Sequence, residues 1–180
     1  NPMDGSSAML GTHTAKATCV DTCSTYALTG GRDCSAICWD LIEGRERTRC
    51  IGHPDALLSC YICKEHSELC VTGSVDGTVR LWDMRLNNLD QDRAKSRCLF
   101  VTNNPASVTR SIVSVFMNRD MMISTCEDGS IKLWDIRATT PECMQTLTID
   151  SGRILCSAVL NNTMVISADA GSLLALEFMQ

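Results

Sequence analysis

One short pattern returns along this chain and constrains it more than any other feature. Gly73-Ser74-Val75-Asp76-Gly77-Thr78-Val79-Arg80-Leu81-Trp82-Asp83 reads as a strand end, a tight turn and a second strand. Asp-Gly suits the turn because glycine takes a positive φ without steric cost. The run after it is β-branched and aromatic, which fits a pleated surface better than a helix. The same order recurs at Cys126-Glu127-Asp128-Gly129-Ser130-Ile131-Lys132-Leu133-Trp134-Asp135, and with drift at Gly31-Arg32-Asp33-Cys34-Ser35-Ala36-Ile37-Cys38-Trp39-Asp40. In the last copy, around Leu176-Glu177, the Trp is gone, and Ala170 stands where the turn Asp is expected.

The copies are spaced by roughly 40–50 residues, a period that calls for about four short strands per unit. The strands expected are 17–23, 26–30, 36–40 and 45–50; 57–63, 69–73, 78–83 and 98–101; 111–117, 121–126, 130–135 and 143–149; then 154–160, 164–168 and 172–178. Few of them alternate cleanly between apolar and polar, as expected of strands buried on both faces. The polar stretch between Arg85 and Ser96 reads as an exposed loop. The chain divides into a segment 1–12 and four repeats, 13–51, 52–102, 103–149 and 150–180. Ala8-Met9-Leu10 is expected to form an outer strand of a preceding unit.

Composition narrows the function. Net charge is −5 with Lys and Arg scattered, so no basic stripe for duplex nucleic acid is expected. No apolar run reaches the ~20 residues of a membrane helix. The opening Asn1-Pro2-Met3-Asp4 lacks the features of a signal peptide, and Asn1 in place of an initiator Met suggests a piece of a longer chain. The twelve cysteines mostly fall in apolar strand-like runs, where reduced Cys packs as a small hydrophobe. They read as free thiols in a reducing intracellular compartment, cytoplasm or nucleus.

With these residues in view, the chain resembles the WD-repeat β-propeller family. The matching features are Gly52-His53 at a blade entry, Asp76 in the turn and Trp82-Asp83 at the third strand's end. The resemblance implies an all-β fold of four-stranded antiparallel blades, about four of them here and part of a seven- or eight-bladed ring. It also implies a hydrogen-bonded set within each blade: His13, Thr29, Asp33 and Trp39 in the first, His53, Thr72, Asp76 and Trp82 in the second. The third keeps Ser124, Asp128 and Trp134 without a His, and the fourth keeps little beyond Asp150 near the His position. Imidazole, hydroxyl and indole supply what a buried Asp needs. Because the set recurs per blade, it reads as structural, and no catalytic constellation stands apart from it. No cofactor is expected.

Cys60, Cys63, His66 and Cys70 approach metal-ligand spacing. An odd separation on one strand sends Cys60 and Cys63 to opposite faces, so no metal site is expected there; Cys19 and Cys23 share a face but lack a third ligand. Arg85 and Arg137 each follow a Trp-Asp by two residues. That repeated Trp-Asp-x-Arg resembles the motif of receptors that dock on a cullin-RING ubiquitin ligase adaptor; the plainer reading is a corner Arg paired with an acid.

The function expected is a non-catalytic scaffold binding other proteins, with the ligase substrate receptor as the alternative. A four-blade arc would leave its end faces open, exposing residues such as Val20, Leu28 and Ile37 unless the rest of the parent chain, a partner or a second copy covers them. Val159, Val165 and Leu174 make the last blade as apolar as the others.

Overall fold

The computed structural model describes residues 9–85, 96–102, 110–137, 141–150, 152–160 and 163–177. Four antiparallel sheets follow one another in chain order. The first blade contains β1 (Ala17–Thr22), β2 (Tyr26–Gly31), β3 (Ser35–Asp40) and β4 (Arg45–Ile51). The second contains β5 (Leu57–Ile62), β6 (Leu69–Ser74), β7 (Val79–Asp83) and β8 (Arg97–Val101). The third is β9 (Ile112–Met117), β10 (Met121–Cys126), β11 (Ser130–Asp135) and β12 (Glu142–Thr148). The fourth has three strands, β13 (Ile154–Leu160), β14 (Thr163–Ala168) and β15 (Leu173–Glu177). The arrangement is that of a β-propeller, and among the described residues no helix is long and apolar enough to cross a membrane.

Each blade repeats the same local devices. The turn between the second and third strands carries the same backbone hydrogen bond in every blade, from Cys34, Gly77, Gly129 and Gly171 to Gly31, Ser74, Cys126 and Ala168 in turn. The donor residue has positive φ in all four: 79° at Gly77, 90° at Gly129, 76° at Gly171 and 61° at Cys34. The first blade therefore carries a cysteine where the geometry favours glycine. The third and fourth strands of blades one to three slip register immediately before the tryptophan, at Cys38/Trp39, Leu81/Trp82 and Leu133/Trp134. The bulge sharpens local twist at the same point of every blade.

The core lies between blades. One face of each sheet packs on the tryptophan-bearing face of the next. Leu28, Ala36 and Cys38 of the first blade meet Cys70, Trp82 and Met84 of the second. Val71, Val79 and Leu81 meet Ile112, Met122 and Trp134 of the third. Ile123 and Ile131 meet Met164 and Ile166 of the fourth. The middle strands are buried on both faces, which explains their unbroken apolar character.

Two details differ from the sequence reading. Met9 and Leu10 belong to no strand, and Ala8 lies outside the described residues. Leu10 instead packs on Ala27, Ile37 and Trp39, where a preceding blade would sit. A side chain at Gly11 would run into the Trp39 ring, so glycine is what lets this segment lie flat on the indole. Consequently Ile37 is buried, and Leu28 is buried because it faces the second blade; of the three residues expected at an open face, only Val20 is exposed. The loop read between Arg85 and Ser96 falls mainly on residues 86–95, and Phe178 on residues 178–180, all outside the described residues.

Candidate functional site

The second blade brings His53, Thr72, Asp76 and Trp82 into one hydrogen-bonded chain. The Trp82 indole donates to Thr72 Oγ1 at 2.8 Å, Thr72 meets His53 Nε2 at 2.8 Å, and His53 Nδ1 meets Asp76 Oδ2 at 2.8 Å. Since the carboxylate can only accept, the imidazole proton sits on Nδ1, and Nε2 accepts from the threonine hydroxyl. Asp76 also accepts from Thr78 N and Oγ1, both at 2.7 Å. Burial pushes this carboxyl up, but the His53 and Thr78 hydrogen bonds outweigh it and hold Asp76 below the usual range.

The first blade repeats the chain. Trp39 donates to Thr29 Oγ1 at 2.8 Å, Thr29 meets His13 Nε2 at 2.8 Å, and His13 Nδ1 meets Asp33 Oδ2 at 2.9 Å. Asp33 is likewise held low, burial being outweighed by His13, Thr14 and Ser35. In both blades the His and Asp side chains are almost wholly enclosed. In each chain the threonine hydroxyl is already engaged by the indole.

The third blade brings together only two of its three residues. Trp134 donates to Ser124 at 3.0 Å, while Asp128 is exposed and accepts from its own turn at Ser130 N, 2.9 Å. In the fourth blade Asp150 is exposed, and a different acid serves the turn. Asp169 accepts from Arg153 N at 3.0 Å and Nε at 3.3 Å, and Arg153 reaches Glu127 of the third blade at 2.8 Å. The sequence reading missed this set because Asp169 is displaced by one residue from the register of the other turn acids.

Arg85 and Arg137 lie at matching corners of successive blades. Arg85 grips Asp83 through Nε at 2.9 Å and Nη2 at 2.6 Å; Arg137 grips Asp135 through Nε at 3.0 Å and Nη2 at 2.5 Å. The Arg85 hydrogen bonds lower Asp83, and those of Arg137 bring Asp135 to about 2. Both arginine side chains stay 65–66% exposed.

Cys60 packs between blades one and two and Cys63 between blades two and three. That separation keeps them from converging on one ion. Among the described residues no group of three or more His, Cys, Asp or Glu has metal-binding geometry.

The largest anomaly is on the fourth blade. Leu173 occupies the register of Ala36, Val79 and Ile131, which are 0%, 1% and 0% exposed, yet Leu173 is 74% exposed. Val165, in register with buried Leu28, Val71 and Ile123, is 45% exposed. Cys156 and Ala175 lie on the same open face by strand register. Val159, by contrast, points back into the third blade's cluster, and Leu174 is half-buried.

The family model described as WD domain, G-beta repeat matches residues 6–40, 44–83 and 97–135. The chain belongs to the WD-repeat family. Among curated WD-repeat relatives, THO complex subunit 6 of Arabidopsis thaliana is 28% identical over 72% of this chain and 33% of its own length. Ribosome biogenesis protein YTM1 of Scheffersomyces stipitis is 31% identical over 80% of this chain and 30% of its own. CCR4-associated factor 4 of Saccharomyces cerevisiae is 31% identical over 62% and 18%. The chain thus spans about a third or less of these relatives. In fold it matches the computationally designed Ika4 protein, with TM-score 0.76, 18% identity, and 98% and 100% of the two chains covered. It also matches a chain in the crystal structure of the Mitotic Checkpoint Complex, with TM-score 0.78, 15% identity, and 95% and 52% covered.

Proposed function

We propose that this WD-repeat chain is a non-catalytic scaffold that holds proteins together in a larger assembly, and that its fourth blade is completed by another sheet. The observation that carries the reading is Leu173, exposed at a position buried in every preceding blade. Apolar area in that register is what each blade offers its successor, and open apolar patches of this kind mark interfaces. The occupant proposed is another blade, from the rest of the parent chain or from a partner protein. The relatives named as a complex subunit and an associated factor support a scaffold role. Free thiols fit a reducing intracellular compartment.

The test is cross-linking mass spectrometry on the native assembly, using a photoreactive residue at position 173. Cross-links from 173 to another sheet support the reading. A face that gives only solvent-quenched product in the assembled protein overturns it.

The ubiquitin-ligase reading rests on the matched, exposed pose of Arg85 and Arg137. Each guanidinium is already engaged by its own Asp, which favours a corner clamp. Binding of a purified cullin-RING adaptor, lost on Arg85→Ala with Arg137→Ala, would restore the docking role.

A further inference from the structure

The third strand of every earlier blade is flanked by a fourth: β3 by β4, β7 by β8 and β11 by β12. Among the described residues no strand pairs with the outer edge of β15. Register shows which backbone groups that edge offers. Ser172 O accepts from Ala168 N at 3.1 Å, as Thr78 O accepts from Ser74 N at 3.3 Å. The next residue turns its peptide groups the other way. In the second blade these are Val79 N, which donates to Thr102 Oγ1 at 2.8 Å, and Val79 O, which accepts from Thr102 N at 3.0 Å. Leu173 and Ala175 direct the same groups away from β14, where no described strand receives them.

A second observation marks the same place from the neighbouring blade. The chain entering β8 covers β4. Thr48 meets Ser96 Oγ at 3.1 Å, Arg49 O accepts from Ser96 N at 3.0 Å, and Thr48 and Cys50 are buried. The matching residues of β12 are Gln145, which is exposed, and Leu147, which is half-buried. Nearly all of β12 is open to water. In the geometry of the repeat, the unpaired edge of β15 and the bare flank of β12 are two walls of one slot as wide as a strand. The edge is also unguarded. Outer strand β4 carries Arg45, Arg47 and Arg49, charges that discourage further pairing, whereas β15 reads Leu-Leu-Ala-Leu-Glu.

We propose that this slot docks an extended segment of a partner protein, which adds to β15 as an antiparallel fourth strand. The proposal deepens the scaffold reading and rests on it. The complete blades define what the segment carries. Arg45 stands opposite Asp40 and Arg97 opposite Asp83, so a basic residue belongs opposite the exposed Glu177. Further along the strand, Cys50 lies opposite Ala36 and Leu147 opposite Ile131, so an apolar residue belongs opposite Leu173. Main-chain hydrogen bonds to the edge supply affinity, and these two side-chain positions supply selectivity.

The test uses the whole chain and a synthetic peptide of its own β4, Arg45–Ile51, which carries the basic residue and the small apolar thiol in the required places. Amide exchange is followed by NMR in the presence of reductant. The Leu173 and Ala175 amides should shift from fast exchange in the free chain to slow exchange with peptide. A peptide carrying Arg45→Glu should lose the effect on the wild-type chain and regain it on Glu177→Arg. Ala175→Pro removes an outward donor, leaves the β14 ladder in place and should abolish binding. The proposal is overturned if the β15 amides are already slow in the free chain, because a second copy or the chain itself then fills the edge. It is equally overturned if peptide up to its solubility limit leaves them fast. Should Ala175→Pro fail to fold, the charge exchange still decides. Failure here leaves the cross-link at position 173 free to succeed, since that experiment reads the open face and not the edge.

Discussion

The first and fourth blades both lack a neighbouring blade on one side within this chain, and they meet the problem differently. The outward face of the first blade presents Ile37 and Trp39, with Leu10 lying across them, and leaves Val20 exposed at the inner strand. The outward face of the fourth presents Leu173, Val165 and Leu160 to water. The first blade also carries a complete His–Asp–Thr–Trp chain, whereas the fourth replaces it with an exposed ion pair between Arg153 and Asp169. An apolar end face is tolerable when a local segment covers it. Left uncovered in the register used elsewhere for burial, it is half of an interface.

The largest effect that sharpens this contrast comes from the tryptophan position. Trp82→Ala should cost about 3–5 kcal/mol, from lost burial and from Thr72 losing its donor. Leu176→Ala, the fourth-blade counterpart, is only partly enclosed and should cost less than half as much. Urea denaturation of both variants measures the difference; equal costs would mean that the fourth blade is as firmly packed as the second.

Next comes the turn acid. Asp76→Ala should cost about 1–3 kcal/mol, because it strands the enclosed donors of His53 and Thr78. Asp128→Ala and Asp169→Ala should be close to neutral, since those acids are exposed and exposed pairs contribute little. If Asp76→Ala is as mild as Asp169→Ala in the same denaturation series, the buried chain does not hold the blade.

The same acids set a pH dependence. Asp33 and Asp76 are held below the usual carboxylate range in the folded protein, the His and hydroxyl hydrogen bonds outweighing burial. A carboxyl lowered by folding stabilises fully above its unfolded value and loses that contribution as pH falls through the folded one. Stability should therefore drop below about pH 4, and Asp33→Asn with Asp76→Asn should flatten that limb. Thermal melts from pH 6 to pH 2 read the effect; an unchanged acid limb in the double variant would locate the loss elsewhere.

The smallest expected effect is at the first blade's turn. Cys34→Gly relieves a left-handed φ of 61° but adds freedom to the unfolded chain, so a gain of at most ~1 kcal/mol is expected. A destabilisation would show that the Cys34 side chain contributes packing.

Much of this architecture was legible because period, turn residue and tryptophan are all local. Met121–Cys126, Ser130–Asp135 and Ile154–Leu160 are strands at the limits the sequence suggested, and most other strands end within a residue of them. What escaped was non-local. Met9 and Leu10 have strand-like apolarity, yet Leu10 covers Trp39 instead of pairing. Asp169 was hidden by a one-residue displacement. Cys19 and Cys60 share one apolar cluster between strands of adjacent blades, and no spacing rule within one repeat reports it. Arg85 and Arg137 were visible as a pair, but their capture by Asp83 and Asp135 depends on side-chain geometry at the strand end.

The fourth blade's open face is most directly tested by light scattering on residues 1–180, with thermal unfolding and binding of an apolar dye on the same sample. The wild-type chain should self-associate or bind dye, and Leu173→Lys with Val165→Lys should abolish both while leaving the melting transition in place. A monodisperse wild-type monomer with one sharp transition and no bound dye would contradict the open face and point to four blades sealed as a ring.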